Sequence, residues 1–201
     1  MVVTASYETT DPTVDSQIIR LQAAGANVLL VAATPKFAAQ AIRKVHDLDW
    51  KPLLFVSYVS NSVGAVIKPA GPENAIGIIT AGYGMDPTDP TWKNDAGMNE
   101  WRDFMAKYMP GADTSDSLYA FAYAVSKALL QVLKQCEGDL TRENIMKQAL
   151  GLRDLELPTL LPGIKVNTSP TNHRPIQQMQ LEKFDGTTWV LFGDIISGAG
   201  N

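Results

Sequence analysis

Three observations predict an α/β fold built on a parallel sheet. Short apolar runs rich in branched side chains recur along the first third of the chain: Val28-Leu29-Leu30-Val31, Leu53-Leu54-Phe55-Val56, then Ile76, Ile78 and Ile79. The segments between them place apolar residues three and four apart, the helical period. Proline opens these helical segments and glycine closes several of them, as the two ends of a helix require. Strands alternating with helices of about 10–15 residues signal right-handed βαβ crossovers.

Taken in order, residues 2–8 are β-branched and extended and read as the opening strand. Asp11-Pro12-Thr13 then starts a helix, because aspartate can accept from the first-turn amides and proline fits the first position. Val14, Ile18 and Leu21 make its apolar stripe, and Gly25 ends it. Val28–Val31 is apolar throughout and predicts a strand buried on both faces. Thr34-Pro35 opens a helix with Phe37, Ala41, Val45 and Leu48 inward, and Leu53–Val56 is the next buried strand. Ser60 is the expected cap of a short helix carrying Val63, Val66 and Ile67, followed by the strand of Ile76, Ile78 and Ile79.

The periodicity changes across residues 82–90, where two glycines and two prolines mark a domain boundary. Residues 1–83 form an α/β core. Residues 84–177 carry three helices, over 92–109, 116–134 and 141–150, then a proline-punctuated stretch in which Gly163-Ile164-Lys165-Val166 reads as a short strand. In the first helix Met98, Trp101, Met105 and Tyr108 make the apolar face; in the second, Leu118, Ala122, Val125, Leu129 and Val132 do. Residues 178–201 form a hairpin turned by Asp185-Gly186, with Met179 and Leu181 inward against Gln178, Gln180 and Glu182 outward.

The 201 residues are 45% hydrophobic, enough for a substantial core, and carry a net charge of −4 with no clustered Lys and Arg. That balance argues against a nucleic-acid partner. No apolar run approaches the about 18 residues of a membrane span, and no charged start precedes an apolar stretch as in a signal peptide. The single cysteine, Cys136, excludes an internal disulfide and reads as a small helix-end residue.

An enzyme needs convergent groups, and few are present. His46 and His173 are the two histidines. Neither has zinc-ligand spacing, and both read as solvated surface residues. No nucleophile elbow, phosphate loop or dinucleotide fingerprint occurs; Gly82-Tyr83-Gly84 lacks the third glycine. No cofactor and no metal are expected. Binding is better served. In open α/β sheets ligands lie beyond the carboxyl ends of the strands. The loops there carry Ala33 and Thr34, Ser57 and Tyr58, and Tyr83. Hydroxyls and helix N-termini suit a carboxylate, and aromatic walls suit an apolar body. Thr34 also reads simply as a helix cap, and Ser57, Tyr58 and Tyr83 as loop packing.

The run Asp11 to Val31 (DPTVDSQIIRLQAAGANVLLV), the segments Lys51 to Ser57 and Gly77-Ile78-Ile79, and the later Glu100-Trp101, Ser117-Leu118-Tyr119 and Asp185-Gly186 carry a resemblance. In their order and spacing they resemble the branched-chain amino-acid binding proteins of ABC importers, the type I periplasmic solute receptors. The resemblance covers nearly the whole chain, beginning at the family's second lobe. It implies a parallel-sheet βαβ lobe of the type I periplasmic-binding-protein fold, plus helices belonging to an incomplete first lobe. It further implies a periplasmic protein, an ABC permease as partner, and two lobes closing on a ligand about a hinge. An aromatic near the start of the second long helix would face the cleft, which adds Tyr119 and Tyr123 as ligand-binding candidates.

Such receptors hold an amino acid's ammonium with a carboxylate or tyrosine of the second-lobe loops. Here those loops run Ala32-Ala33-Thr34 and Ser57-Tyr58-Val59, without an acid. The expected ligand is a small organic acid or amino acid, and the missing acid favours a carboxylate without an amino group, unless first-lobe residues supply that acid. A ligand-sensing regulatory domain of the same fold is the alternative, and a small α/β enzyme a weaker rival. The apolar stripes of the two long helices lack the first-lobe sheet as a partner, so the chain is expected to self-associate.

Overall fold

Three parallel strands and a hairpin make one sheet, in the spatial order β1-β2-β3-β4-β5. The computed structural model describes residues 3–198. The strands are β1 (Val28–Val31), β2 (Leu53–Val56), β3 (Ile79–Gly82), β4 (Gln178–Phe184) and β5 (Trp189–Ser197). The helices are α1 (Asp15–Ala23), α2 (Pro35–Asp47), α3 (Lys68–Ala70), α4 (Ala96–Tyr108), α5 (Ser117–Gln135) and α6 (Arg142–Ala149). The expectation of an α/β fold on a parallel sheet holds for β1 to β3. β1 and β2 pair in parallel from Val28↔Leu53 to Val31↔Val56, and β2 pairs in parallel with β3 at Phe55↔Ile79. Among the described residues no helix is long and apolar enough to cross a membrane.

The chain divides into two compact units: Met1–Gly82 with Leu181–Phe192, and Tyr83–Gln180 with Gly193–Asn201. In the first, α2 lays Phe37, Ala41, Ile42 and Val45 onto Leu29, Val31, Leu54 and Val56. The hairpin closes this core with Phe184 and Trp189, whose ring centroids are 5.4 Å apart. The Trp189 indole N–H is satisfied by the Asn61 carbonyl at 2.7 Å, as a buried donor must be.

Several local expectations fail for physical reasons. Residues 3–8 pair with no strand; Val2 lies outside the described residues. Tyr7 fastens this segment instead, its ring packed at a tilt 4.6 Å from that of Phe37. The Asp11 carboxylate accepts from the Glu8 amide at 2.9 Å and closes a turn, so α1 starts later, at Asp15. β1 is buried on one face only: Leu29 is 5% exposed, but Leu30 is 67% and Val28 52%. The apolar run reflected branched-residue preference for strands, not double burial. Ser62, not Ser60, caps the helical turn Val63–Ile67, accepting from the Ala65 amide at 3.2 Å.

In the second unit α4 buries Met98, Trp101 and Met105, while Tyr108 is exposed. Of the expected α5 stripe Val132 is buried, together with Ala120 and Ala124, whereas Leu118, Ala122, Val125 and Leu129 are exposed. The alanine face lets a loop come close, and the Thr159 hydroxyl donates to the Ala120 carbonyl at 3.0 Å. Val166 makes one isolated bridge with Leu155 instead of a strand. Cys136 is the buried C-cap of α5, its thiol 3.2 Å from the Val132 carbonyl. In the hairpin turn, Asp185 accepts from the Thr187 and Thr188 amides at 2.8 and 2.9 Å, and Gly186 supplies φ 110. Glu182, expected outward, is 3% exposed, because β4 turns Glu182 and Phe184 inward.

Candidate ligand-binding rim

β1 and β2 end level with each other, so the loops that follow leave the sheet side by side. The Ser57 amide continues the ladder, donating to the Val31 carbonyl at 2.9 Å. Ser60, fully buried, donates its hydroxyl to the Ala33 carbonyl at 2.6 Å and lies 3.2 Å from the Ser57 hydroxyl. A hydroxyl has one proton to give. With the Ser60 proton committed to Ala33, Ser57 is the donor between the two serines, and its lone pairs are left as an acceptor. Ala33, Thr34, Ser57 and Tyr58 are thus brought together in the first unit, with Ser60 as the tie.

Thr34 occupies the N-cap position of α2 in extended conformation, φ −69 and ψ 159, but makes no side-chain cap bond. Its amide instead donates to the Tyr7 hydroxyl at 2.8 Å, and that hydroxyl approaches the Thr34 Oγ1 at 3.5 Å. Tyr7 is therefore a rim residue that the sequence reading missed, since a tyrosine in an extended segment reads as part of a strand. Pro35 has no amide proton, and the Lys36 amide has no carbonyl within the helix to bind. The Lys36 ammonium stands 4.9 Å from the Phe37 ring centroid, adding positive charge to the same helix start. This corner suits an anion.

The other candidates lie in the second unit. The Tyr83 carbonyl accepts from the Leu161 amide at 2.9 Å. Tyr119 sits half-buried in the first turn of α5. One turn later the Tyr123 hydroxyl donates to Glu100 at 2.9 Å, and its ring packs 5.1 Å from that of Phe104. Lys127 bonds the same carboxylate oxygen at 2.7 Å. Burial, reinforced by the bond to Glu100, pushes the Tyr123 phenol up to about 12. The hydrogen bonds from Lys127 and Tyr123 hold Glu100 below the usual carboxylate range. With its proton committed, Tyr123 has its ring and an acceptor oxygen to offer a ligand.

Glu182 brings a carboxylate to the carboxyl end of β3 from a distant part of the sequence. Its Cδ lies 2.8 Å from the point where a Cβ on Gly82 would stand. The acid that is missing from the strand-end loops is therefore close to them in the fold, though buried. The groups of the rim are hydroxyls, amides, rings and the Lys36 ammonium. Among the described residues, no group of three or more His, Cys, Asp or Glu is placed to hold a metal ion.

A family model described as periplasmic binding protein matches residues 1–188. The chain belongs to the periplasmic binding protein family. Solved structures of similar fold include a branched-chain amino-acid ABC transporter protein from Thermus thermophilus with bound valine: 15% identity, TM-score 0.73, covering 97% of this chain and 52% of that one. A substrate-binding periplasmic protein from Ralstonia solanacearum is 18% identical, with TM-score 0.78 over 94% of this chain and 52% of that one. A fatty-acid ABC transporter substrate-binding protein from Thermomonospora curvata is 16% identical, with TM-score 0.66 over 96% and 49%. At such identities the likeness is one of fold. This periplasmic-binding-protein chain spans about half the length of these structures. No curated protein sequence matches it.

Proposed function

We propose that this chain is a portion of an extracytoplasmic solute-binding protein that delivers a small carboxylate-bearing solute to an ABC importer. The observation that carries this reading is the convergence at the ends of β1 and β2. There the α2 start, with the Lys36 amide, is tied to the hydroxyl of Ser57 through Ser60 and the Ala33 carbonyl. The first would take the carboxylate. The second, left as an acceptor, would take one donor, such as a ligand hydroxyl. An ammonium brings three protons, and the ends of β1 and β2 offer it one neutral acceptor, while the Glu182 carboxylate lies buried at the end of β3. Tyr58 would wall the apolar body of the ligand. The solutes named for the family structures, valine and a fatty acid, bracket this choice.

A thermal-shift series on the chain tests the reading. Leucine, 2-hydroxy-4-methylpentanoate and 4-methylpentanoate share one carbon skeleton and differ only at the α position. The hydroxy acid should raise the melting temperature most and leucine least. Leucine giving the largest shift would sink the ligand class, and no shift with any acid would sink the site.

A further inference from the structure

The first unit has a second concavity, at the amino ends of β2 and β3 and so at the opposite end of the strands from the rim. Its volume is about 300 Å³. Leu54 and Ile78, 8% and 3% exposed, are among its buried wall residues, joined by the more exposed Leu53 and Ile76 and by Trp50. Four strand residues span about 13 Å, so a ligand here would not touch the rim.

We propose that this pocket binds a small amphipathic cation, a primary ammonium carried on an aryl or alkyl body. Three features converge on that chemistry. Asn74 lines the pocket with its Nδ2 donating to the Ala70 carbonyl at 2.8 Å, while its Oδ1 is buried without a hydrogen-bond partner. A buried carbonyl oxygen of this kind is costly until a donor reaches it. Glu73 lies beside it: Glu73 Oε1 and Asn74 Nδ2 are each 2.8 Å from the point where a Cβ on Gly71 would stand. The other charged pair of the lining, Asp49 and Lys51, is internally neutralised at 3.0 Å. Glu73 is therefore the lining carboxylate left to meet a cation. Trp50 adds an indole face, which attracts an ammonium, and Leu53 and Ile76 supply apolar surface for its body. Lys51 and Lys183 are exposed side chains, and solvent screens their opposing charge.

The probe is 2-phenylethylammonium, with 3-phenylpropionate as its anionic counterpart, titrated into the nitrogen-15-labelled chain. The amine should move the Trp50 indole and Asn74 side-chain amide resonances saturably, and the acid should leave both in place. Glu73→Gln, at an exposed position, should weaken the amine about ten-fold while preserving the rest of the spectrum. Equal shifts with the acid, no saturable shift with the amine, or unchanged affinity in Glu73→Gln would overturn the proposal. None of these outcomes bears on the carboxylate series at the rim.

Discussion

Gly97, in the first turn of α4, lies against the backbone of Pro158: the Pro158 Cα and carbonyl carbon are each 2.7 Å from where a Cβ on Gly97 would stand. A backbone cannot swing aside as a side chain can. Gly97→Ala must therefore move the loop or the helix, and is expected to cost about 2–3 kcal/mol by overpacking. Gly82→Ala meets the Glu182 carboxylate instead, the far end of a side chain, and should cost less. Chemical denaturation of both variants checks the order. Equal losses would mean that Glu182 is as immovable as the Pro158 backbone.

Ser60 and Ser57 should separate stability from binding. Ser60→Ala removes the proton given to Ala33 and leaves that carbonyl unsatisfied beside a fully buried position. A loss of about 1–3 kcal/mol is expected. Ser57→Ala removes a half-buried hydroxyl of the rim, and Tyr58→Ala removes a half-buried ring. Each should leave the melting temperature within a few degrees and weaken a hydroxy-acid ligand about ten-fold. Calorimetric titration reads the affinity. Unchanged binding in Tyr58→Ala would make the ring loop packing only.

How far the sequence carried this reading depends on what each residue answers to. The α2 stripe of Phe37, Ala41 and Val45 was legible because one face of that helix meets one sheet, and periodicity records that directly. Leu30 was not, because an apolar strand reads alike whether one or both faces are covered. Nor was the inward face of α5, where small Ala120 and Ala124 permit close approach and the larger Leu118, Val125 and Leu129 turn away. At the rim, strand ends pointed to Ala33, Thr34, Ser57 and Tyr58. Tyr7 and Glu182 escaped because their proximity comes from tertiary contacts across 27 and 100 positions, Tyr7 to Thr34 and Glu182 to Gly82.

The Tyr123 phenol gives a pH signature. Its protonated form is the one the folded chain favours, so its contribution is full below the ordinary 10.0 and fades as pH climbs toward about 12. Glu100 works the other way: held low, it stabilises above the ordinary 4.5 and loses that contribution as pH falls. With Glu100 47% and Lys127 34% exposed at the side chain, the ion pair should add no more than about 1 kcal/mol. In an alkaline titration followed by phenolate absorbance, one of the six tyrosines should ionise late. Tyr123→Phe should abolish that step. Glu100→Gln should move it only part of the way down, since burial remains; a full return to ordinary values would make Glu100 the main cause.

The outward stripe of α5 predicts association. Leu118, Phe121, Val125 and Leu129, exposed by 38, 41, 51 and 54%, follow one another at helical spacing and make a continuous apolar face. Contiguous patches of this kind are uncommon on soluble monomers. A second copy of the chain offers the same face, and two such stripes can pack together as helices do. Light scattering coupled to size exclusion should therefore return a mass above 21.8 kDa that grows with concentration. Val125→Lys with Leu129→Lys should bring the mass back to that of one chain with the fold kept by circular dichroism, because neither side chain is part of the core of a single chain. A wild-type chain that stays monomeric up to millimolar concentration would show that the stripe does not drive self-association.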